Sequence, residues 1–190
     1  MGGSTLDSKT KILNAALDLF IKEGFHGTST SKIAKEAGIS NGTLFYHFKT
    51  KEDLISKLYK KLKDDYRNYL LAHMVPCKTF KNRIKQLWFD CVQWNLDNSN
   101  CITFYAMFSN SPYIDNLSKK EASRNFDFML DLFQEAINNE ILLDVNVHLI
   151  MGFFVASVQA TAKFVKDHPG HREEQLEQAF KMCWRSIANI

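Results

Sequence analysis

Between Gly38 and Leu54 the chain reads GISNGTLFYHFKTKEDL, and the chemistry open to its side chains is hydrogen bonding and cationic attraction. Asn41 carries an amide that donates and accepts side by side, a match for an adenine edge, and Thr43 carries a hydroxyl beside a methyl, fit for a thymine methyl or a phosphate. Tyr46, His47, Lys49 and Lys51 follow, and no acid appears before Glu52. Gly42 has no side chain, so the backbone there can approach a ligand surface closely, at a cost in helix propensity. A short basic-aromatic element of this kind suits a nucleic acid, where phosphates supply affinity and base edges supply specificity. Leu44, Phe45 and Phe48 read as its inward side.

These groups need a frame. Ile33, Ala34 and Ala37 lie three and four apart, which predicts a helix over Thr30 to Ala37. Gly38 supplies the permissive backbone that ends it, Ile39 can plug the core, and Ser40 is a good N-cap for the next helix. The pattern is helix, short turn, helix, in which the second helix enters the major groove and the first crosses the backbone. Upstream, a helix is expected from about Ser8 to Glu23, capped by Asp7 or Ser8. Downstream, Thr50 caps a helix whose first turn places Glu52 and Asp53 at its positive end. Leu54, Leu58, Leu62, Tyr66 and Tyr69 carry that helix to about His73, before Val75-Pro76.

Residues 8 to 60 resemble the DNA-binding domain of the TetR family of bacterial transcriptional regulators. Ile12, Ala15, Ala16, Leu19, Phe20, Gly24 and Phe25 are similar to the family's first helix, and Thr28 to Ala37 to its second. Gly42, Thr43, Leu44, Tyr46, His47, Phe48, Lys49, Lys51 and Leu54 resemble the recognition helix and the start of helix four. The resemblance implies that Tyr46, His47 and Lys51 contact phosphates. It also implies that Asn41, Gly42 and Thr43 read or approach bases, and that Thr30 and Ser31 touch backbone or base. Hydroxyls stand where many members have arginine or lysine, so selectivity is expected to lean on methyl contacts, water and DNA shape.

Charge follows the same division. Residues 1 to 60 hold nine Lys against six Asp or Glu, while residues 61 to 190 hold fifteen of each sign, so the net +3 sits in the first third. With 45% hydrophobic and 24% charged residues the chain is an ordinary globular one. Cys77, Cys91, Cys101 and Cys183 have no paired spacing, as expected of thiols in a reducing cytoplasm. His168 and His171 flank Pro169-Gly170 in what reads as a polar turn, and no metal, cofactor or catalytic constellation is visible. Val145 to Ala162 is an uncharged run of eighteen residues, yet Asn146, His148, Gln159 and Thr161 make it a core or interface helix rather than a membrane span.

The apolar spacing is helical almost throughout, so the fold class is all-α. Beyond Pro76, Phe80, Ile84, Leu87, Cys91 and Trp94 form the seam of a fifth helix. A sixth covers Cys101 to Asn110, a seventh starts near Ser118, an eighth runs from Asp144 as cap to about Lys166, and a ninth spans Glu173 to Ile187. Nine helices in this order is also what the resemblance implies. It divides the chain into a helix-turn-helix domain over residues 1–50 and a carboxy-terminal domain over 51–190, with helix four as the link. That second domain should supply a dimer interface and an effector cavity. Gly152, Ala156 and Ala160 fall four apart on helix eight, and with Phe153, Phe180 and Trp184 they make the candidate interface. Trp88, Trp94, Phe104, Phe108, Phe126, Met129 and Phe133 make the candidate pocket for a lipophilic or aromatic effector, with Asp90 as a polar or cation-meeting group.

The resulting expectation is a cytoplasmic homodimer that binds a palindromic duplex operator and represses transcription until a small molecule releases it. The alternative is a DNA-bound structural or protein-recruiting factor with no effector.

Overall fold

A computed structural model of the chain describes residues 3–113 and 126–189, with side chains described from Ser8 onward. The described residues form nine α-helices, and the only β pairing among them is one isolated bridge between Leu142 and Ala188. The helices are α1 (Gly3–Gly27), α2 (Thr30–Glu36), α3 (Asn41–His47), α4 (Lys51–His73), α5 (Phe80–Asp97), α6 (Ser99–Ser109), α7 (Asp127–Asn138), α8 (Val147–Asp167) and α9 (Arg172–Ile187).

By contact the chain separates into two compact units. The first takes α1, α2, α3, the part of α4 up to Asp64, and α6; the second takes the rest of α4, α5, α7, α8 and α9. In the first unit Ile12, Ala16 and Phe20 of α1, Ile33 of α2, Leu44 of α3, Leu54, Ile55 and Leu58 of α4, and Phe104 and Phe108 of α6 are all fully buried. Phe25 packs edge-on against Phe20 at 5.2 Å and against Phe104 at 5.6 Å, tying α1 to α6. In the second unit α8 is the central strut, packed along α5, α7 and α9. Ile150, Phe154, Val158, Ala162 and Val165 form its inward stripe. Trp88 of α5 is fully buried and donates its indole N–H to Ser157 Oγ of α8 at 2.8 Å.

Three boundaries differ from the sequence expectation. Helix α1 already begins at Gly3, ahead of Asp7 and Ser8, and runs to Gly27 through a break at Gly24, whose φ of 75° only glycine adopts without strain. Thr28 then sits fully buried, its hydroxyl 3.1 Å from Leu19 O and 2.9 Å from Gly24 O, closing the kinked end. Helix α8 is capped by Asn146, whose Oδ1 accepts from His148 N at 2.9 Å, rather than by Asp144. The reason is the bridge: Leu143 N donates to Ile187 O and Asn189 N to Ile141 O, which holds the chain extended up to that point. The expected start of the seventh helix near Ser118 lies outside the described residues.

Among the described residues one helix, Val147–Asp167, is long and apolar enough to cross a membrane by composition. Its inward stripe is nonetheless used by α5, α7 and α9, as expected of a core or interface helix.

Candidate nucleic-acid interface

Local chemistry builds the α2–α3 hairpin. Ser29 caps α2 by accepting from Lys32 N at 3.2 Å, and its Oγ also meets Ser31 Oγ at 3.0 Å. Gly38 ends the helix with φ 66°, a left-handed turn that lets Gly38 N reach Lys35 O and Ile39 N reach Ala34 O. Ser40 then caps α3, accepting from Thr43 N at 3.1 Å while its Oγ lies 2.9 Å from Thr43 Oγ1. Gly38 and Ser40 stand where the sequence places them, whereas the Ser29 cap was not singled out there.

On α3, successive residues turn by about 100°. Leu44 and Phe48 are fully buried, Thr43 and His47 are half-buried, and Asn41, Gly42, Phe45 and Tyr46 are exposed. The outward assignment holds for Asn41, Gly42 and Tyr46, the last 70% exposed, and the inward one for Leu44 and Phe48, while Thr43 and His47, also expected outward, are half-buried. Phe45 is a correction. It was expected inward but is 43% exposed, because Leu44 and Phe48, one turn apart, already occupy the inner side. Phe45 stands one turn from Asn41 instead, so the presented face is partly apolar. His47 lies edge-on to Tyr46 at 5.2 Å, and its Nε2 is buried with no hydrogen-bond partner among the described residues. Ser31, Lys49 and Thr50 are exposed, and Thr30 and Lys51 half-buried. No acid is present between Gly38 and Lys51.

The turn from α3 into α4 is closely tied. Phe48 N donates to Leu44 O at 2.9 Å, Lys49 N to Asp53 Oδ2 at 3.1 Å, and Asp53 N to Thr50 Oγ1 at 3.1 Å. Lys57 Nζ donates to the same Asp53 Oδ2 at 2.9 Å, approaches His47 O at 3.4 Å and lies 5.4 Å over the Phe48 ring. Sequence reading identified Thr50 as a cap and missed Lys57, whose i, i+4 relation to Asp53 was the available signal. Further along α4, Lys57, Lys60 and Lys61 face Lys9 and Thr10 of α1 across an open cleft of about 440 Å³ that also contains Asp64.

The remaining sequence-derived candidates fall in different places. Trp88, Asp90, Trp94, Phe126, Met129 and Phe133 belong to the second unit, whereas Phe104 and Phe108 belong to the aromatic core of the first. Trp94 stacks on Tyr66 at 4.3 Å, and Phe126 leans on the same ring at 5.4 Å. Asp90 is buried and accepts from Gln86 Nε2 at 3.0 Å, and burial raises its carboxyl pKa. It borders a cavity of about 30 Å³ with Met74, Leu87 and Leu132. Gly152, Phe153, Ala156 and Ala160 are exposed on α8. Phe180 is buried against Trp88 at 5.7 Å, and Trp184 is half-buried under Lys81 Nζ. No cluster of three or more metal-ligating side chains occurs among the described residues.

Comparison with known proteins agrees with this geometry. The family model for bacterial regulatory proteins of the tetR family matches residues 12–58, which run from within α1 to the first turns of α4. The HTH-type transcriptional regulator QacR of Staphylococcus aureus is 31% identical over 149 residues, covering 74% of this chain and 78% of that protein. A TetR family transcription regulator from Marinobacter aquaeolei superposes with a TM-score of 0.89 at 20% identity over the full length of both chains. The transcriptional regulator FadR of Bacillus subtilis, solved in complex with stearoyl-CoA, superposes with a TM-score of 0.73 at 19% identity, over 95% of this chain and 98% of that one. The matched segment contains the helix-turn-helix, whose second helix is free of acids, and the similarity to QacR runs well beyond it. The chain thus belongs to the TetR family of bacterial transcriptional regulators, DNA-binding proteins rather than enzymes.

Proposed function

We propose that this regulator acts in the cytoplasm as a homodimeric repressor, seated on a palindromic operator and released by a lipophilic or aromatic small molecule. The observation that carries the DNA-binding half is the outward face of α3, where Asn41, Gly42 and Tyr46 are exposed on a helix that contains no acid. Tyr46, His47 and Lys51 grip phosphates, Asn41 and Thr43 meet base edges, and Thr30 and Ser31 support them from α2. Thr43 does so with its hydroxyl already shared with Ser40, which favours its methyl as the reading group.

Dimerisation is supported by α8. Leu149, Phe153, Ala156, Ala160 and Phe164 recur at helical spacing on its outer side, with Leu149 53% and Phe164 49% exposed. A contiguous apolar row on an otherwise well-packed helix calls for a partner surface. A second copy offers the same row across a two-fold axis. Gly152 and Ala156 let the two helices approach closely, and Trp184 adds a half-buried ring on α9. Phe180 backs it from inside.

The effector half draws on Trp94, Tyr66 and Phe126, which offer flat apolar surfaces, and on Asp90 for a polar or cationic group. The cavity beside Asp90 has room for about one water, so a ligand of ordinary size must widen the space lined by Met74, Leu87 and Leu132 to enter. That requirement makes a two-state device: the effector binds the opened form better, and the difference in affinity is what moves the equilibrium. Helix α4 has residues in both units and carries the change to α3. FadR, a structural relative, is known with stearoyl-CoA, which is compatible with a lipophilic ligand here.

Selection of bound fragments from genomic DNA tests the reading. An inverted repeat is expected, with half-sites about one helical turn or a multiple of it apart, roughly 34 to 36 Å per turn. Enrichment of no such sequence would overturn it.

A further inference from the structure

We infer that Asp53 and Lys57 are positioning residues, which clamp the end of α3 to the first turns of α4 and so set the angle at which Tyr46, His47 and Lys51 meet DNA. The inference deepens the DNA-binding reading and rests on it.

Helix α3 has seven residues, too few to hold its own shape in water, so its orientation is set by what ties its ends. Ser40 fixes the first end. At the other, one Asp53 oxygen accepts both Lys49 N and Lys57 Nζ, and the same ammonium reaches toward His47 O, in the last turn of α3, and covers the ring of Phe48. Lys57 therefore touches the recognition helix, its buried anchor and the first turn of α4 together. An exposed i, i+4 ion pair by itself contributes little to stability, and both side chains here are part-exposed. What distinguishes this pair is that backbone groups of the turn are held at both of its ends. Its sign also matters. Asp53 places a negative charge two residues from Lys51, on a segment that must approach phosphates, where long-range electrostatics disfavours it. A geometric role accounts for an acid in that place.

The test uses the full-length protein, the operator recovered by fragment selection and a scrambled duplex of equal length, titrated over a range of salt. Asp53→Asn should weaken operator binding about tenfold, the scale of one lost charge-assisted hydrogen bond, and scrambled-duplex binding less than that. Lys57→Met should weaken operator binding similarly with the salt slope unchanged. Operator binding by Asp53→Asn that is equal or tighter overturns the inference, and so does a salt slope reduced by about 0.9 in Lys57→Met, the mark of a lost phosphate contact. Should Asp53→Asn fail to fold, as judged by helix content, the comparison of Lys57→Met with Lys57→Arg decides. Recovery of operator affinity by arginine supports the clamp, and no recovery refutes it. A wild-type protein that does not prefer any operator over the scrambled duplex would instead defeat the DNA-binding reading itself.

Discussion

If α8 forms the proposed two-fold interface, replacing Phe153 by alanine should take the dimer apart and leave the subunit folded. Phe153 is 54% exposed on α8, so of a side chain that buries about 200 Å² when covered, roughly 100 Å² is left for a partner. At about 25 cal/mol per Å² this is about 2.5 kcal/mol for each copy. A two-fold interface uses the patch twice, so the truncation removes about 5 kcal/mol from the dimer. With a decade in the equilibrium constant for every 1.4 kcal/mol, dissociation should strengthen by between about three and four decades. Alanine is the best helix former, and the inward stripe of α8 is untouched by the change, so helix content and the urea midpoint measured on monomeric protein should hold. Sedimentation velocity across nanomolar to micromolar concentrations reads the outcome. The variant should sediment as a monomer where the wild type is dimeric, and its operator binding should fall in parallel. An unchanged dimer constant in Phe153→Ala would refute the assignment of α8 as the interface.

Other outcomes follow from groups in the first unit. Thr28→Val removes a hydroxyl that serves the buried carbonyls of Leu19 and Gly24, and urea unfolding should show a loss of about 1–3 kcal/mol; no loss would mean that the kink at Gly24 holds by itself. Tyr46→Ala should weaken binding to every duplex and lower the salt slope by about one, and a change confined to one operator position would contradict its phosphate role. Burial against Tyr59 and Tyr105 pushes the Lys63 ammonium down to about 8. Between that value and the ordinary 10.5 the unfolded chain holds a proton that the folded chain has released, so stability should rise with pH through this window and be lost as pH falls through 8. Burial of Cys91, pushed up to about 12 from 9.0, acts in the opposite sense above pH 9, so pH 8 to 9 is the interval to examine. Thermal unfolding of Lys63→Met should lack the rise, and an unaltered slope would reject the assignment.

Much of the interface is legible in the sequence because its determinants are local. Gly38, Ser40 and Thr50 act on backbone groups within five residues of themselves, and the structure uses each as expected. Phe45 was misread because a seven-residue helix gives the inner face to two positions only, and composition cannot say which two of three neighbouring apolar residues take them. Thr28 and Lys57 act on carbonyls nine and ten residues away, a reach that periodicity does not encode. The late start of α8 depends on strand-like pairing with the carboxy terminus, between residues more than forty apart. The face of α8 is a middle case: its small-residue spacing is visible in sequence, but that Leu149 and Phe164 are left uncovered emerges only once α5, α7 and α9 have taken the other side.

The way the chain is shared between its two units bears on how such regulators can be recombined. Helix α6 supplies Phe104 and Phe108 to the unit that holds the helix-turn-helix, although the whole of α5 intervenes in sequence. A cut after α3 or within α4 would thus leave Phe20 and Phe25 without the rings they rest on. The reading head is not a detachable cassette. Grafting a foreign head onto this body requires α6 to travel with it or its facing residues to be rebuilt, and shuffling by simple crossover at the end of α3 should yield chimaeras that aggregate.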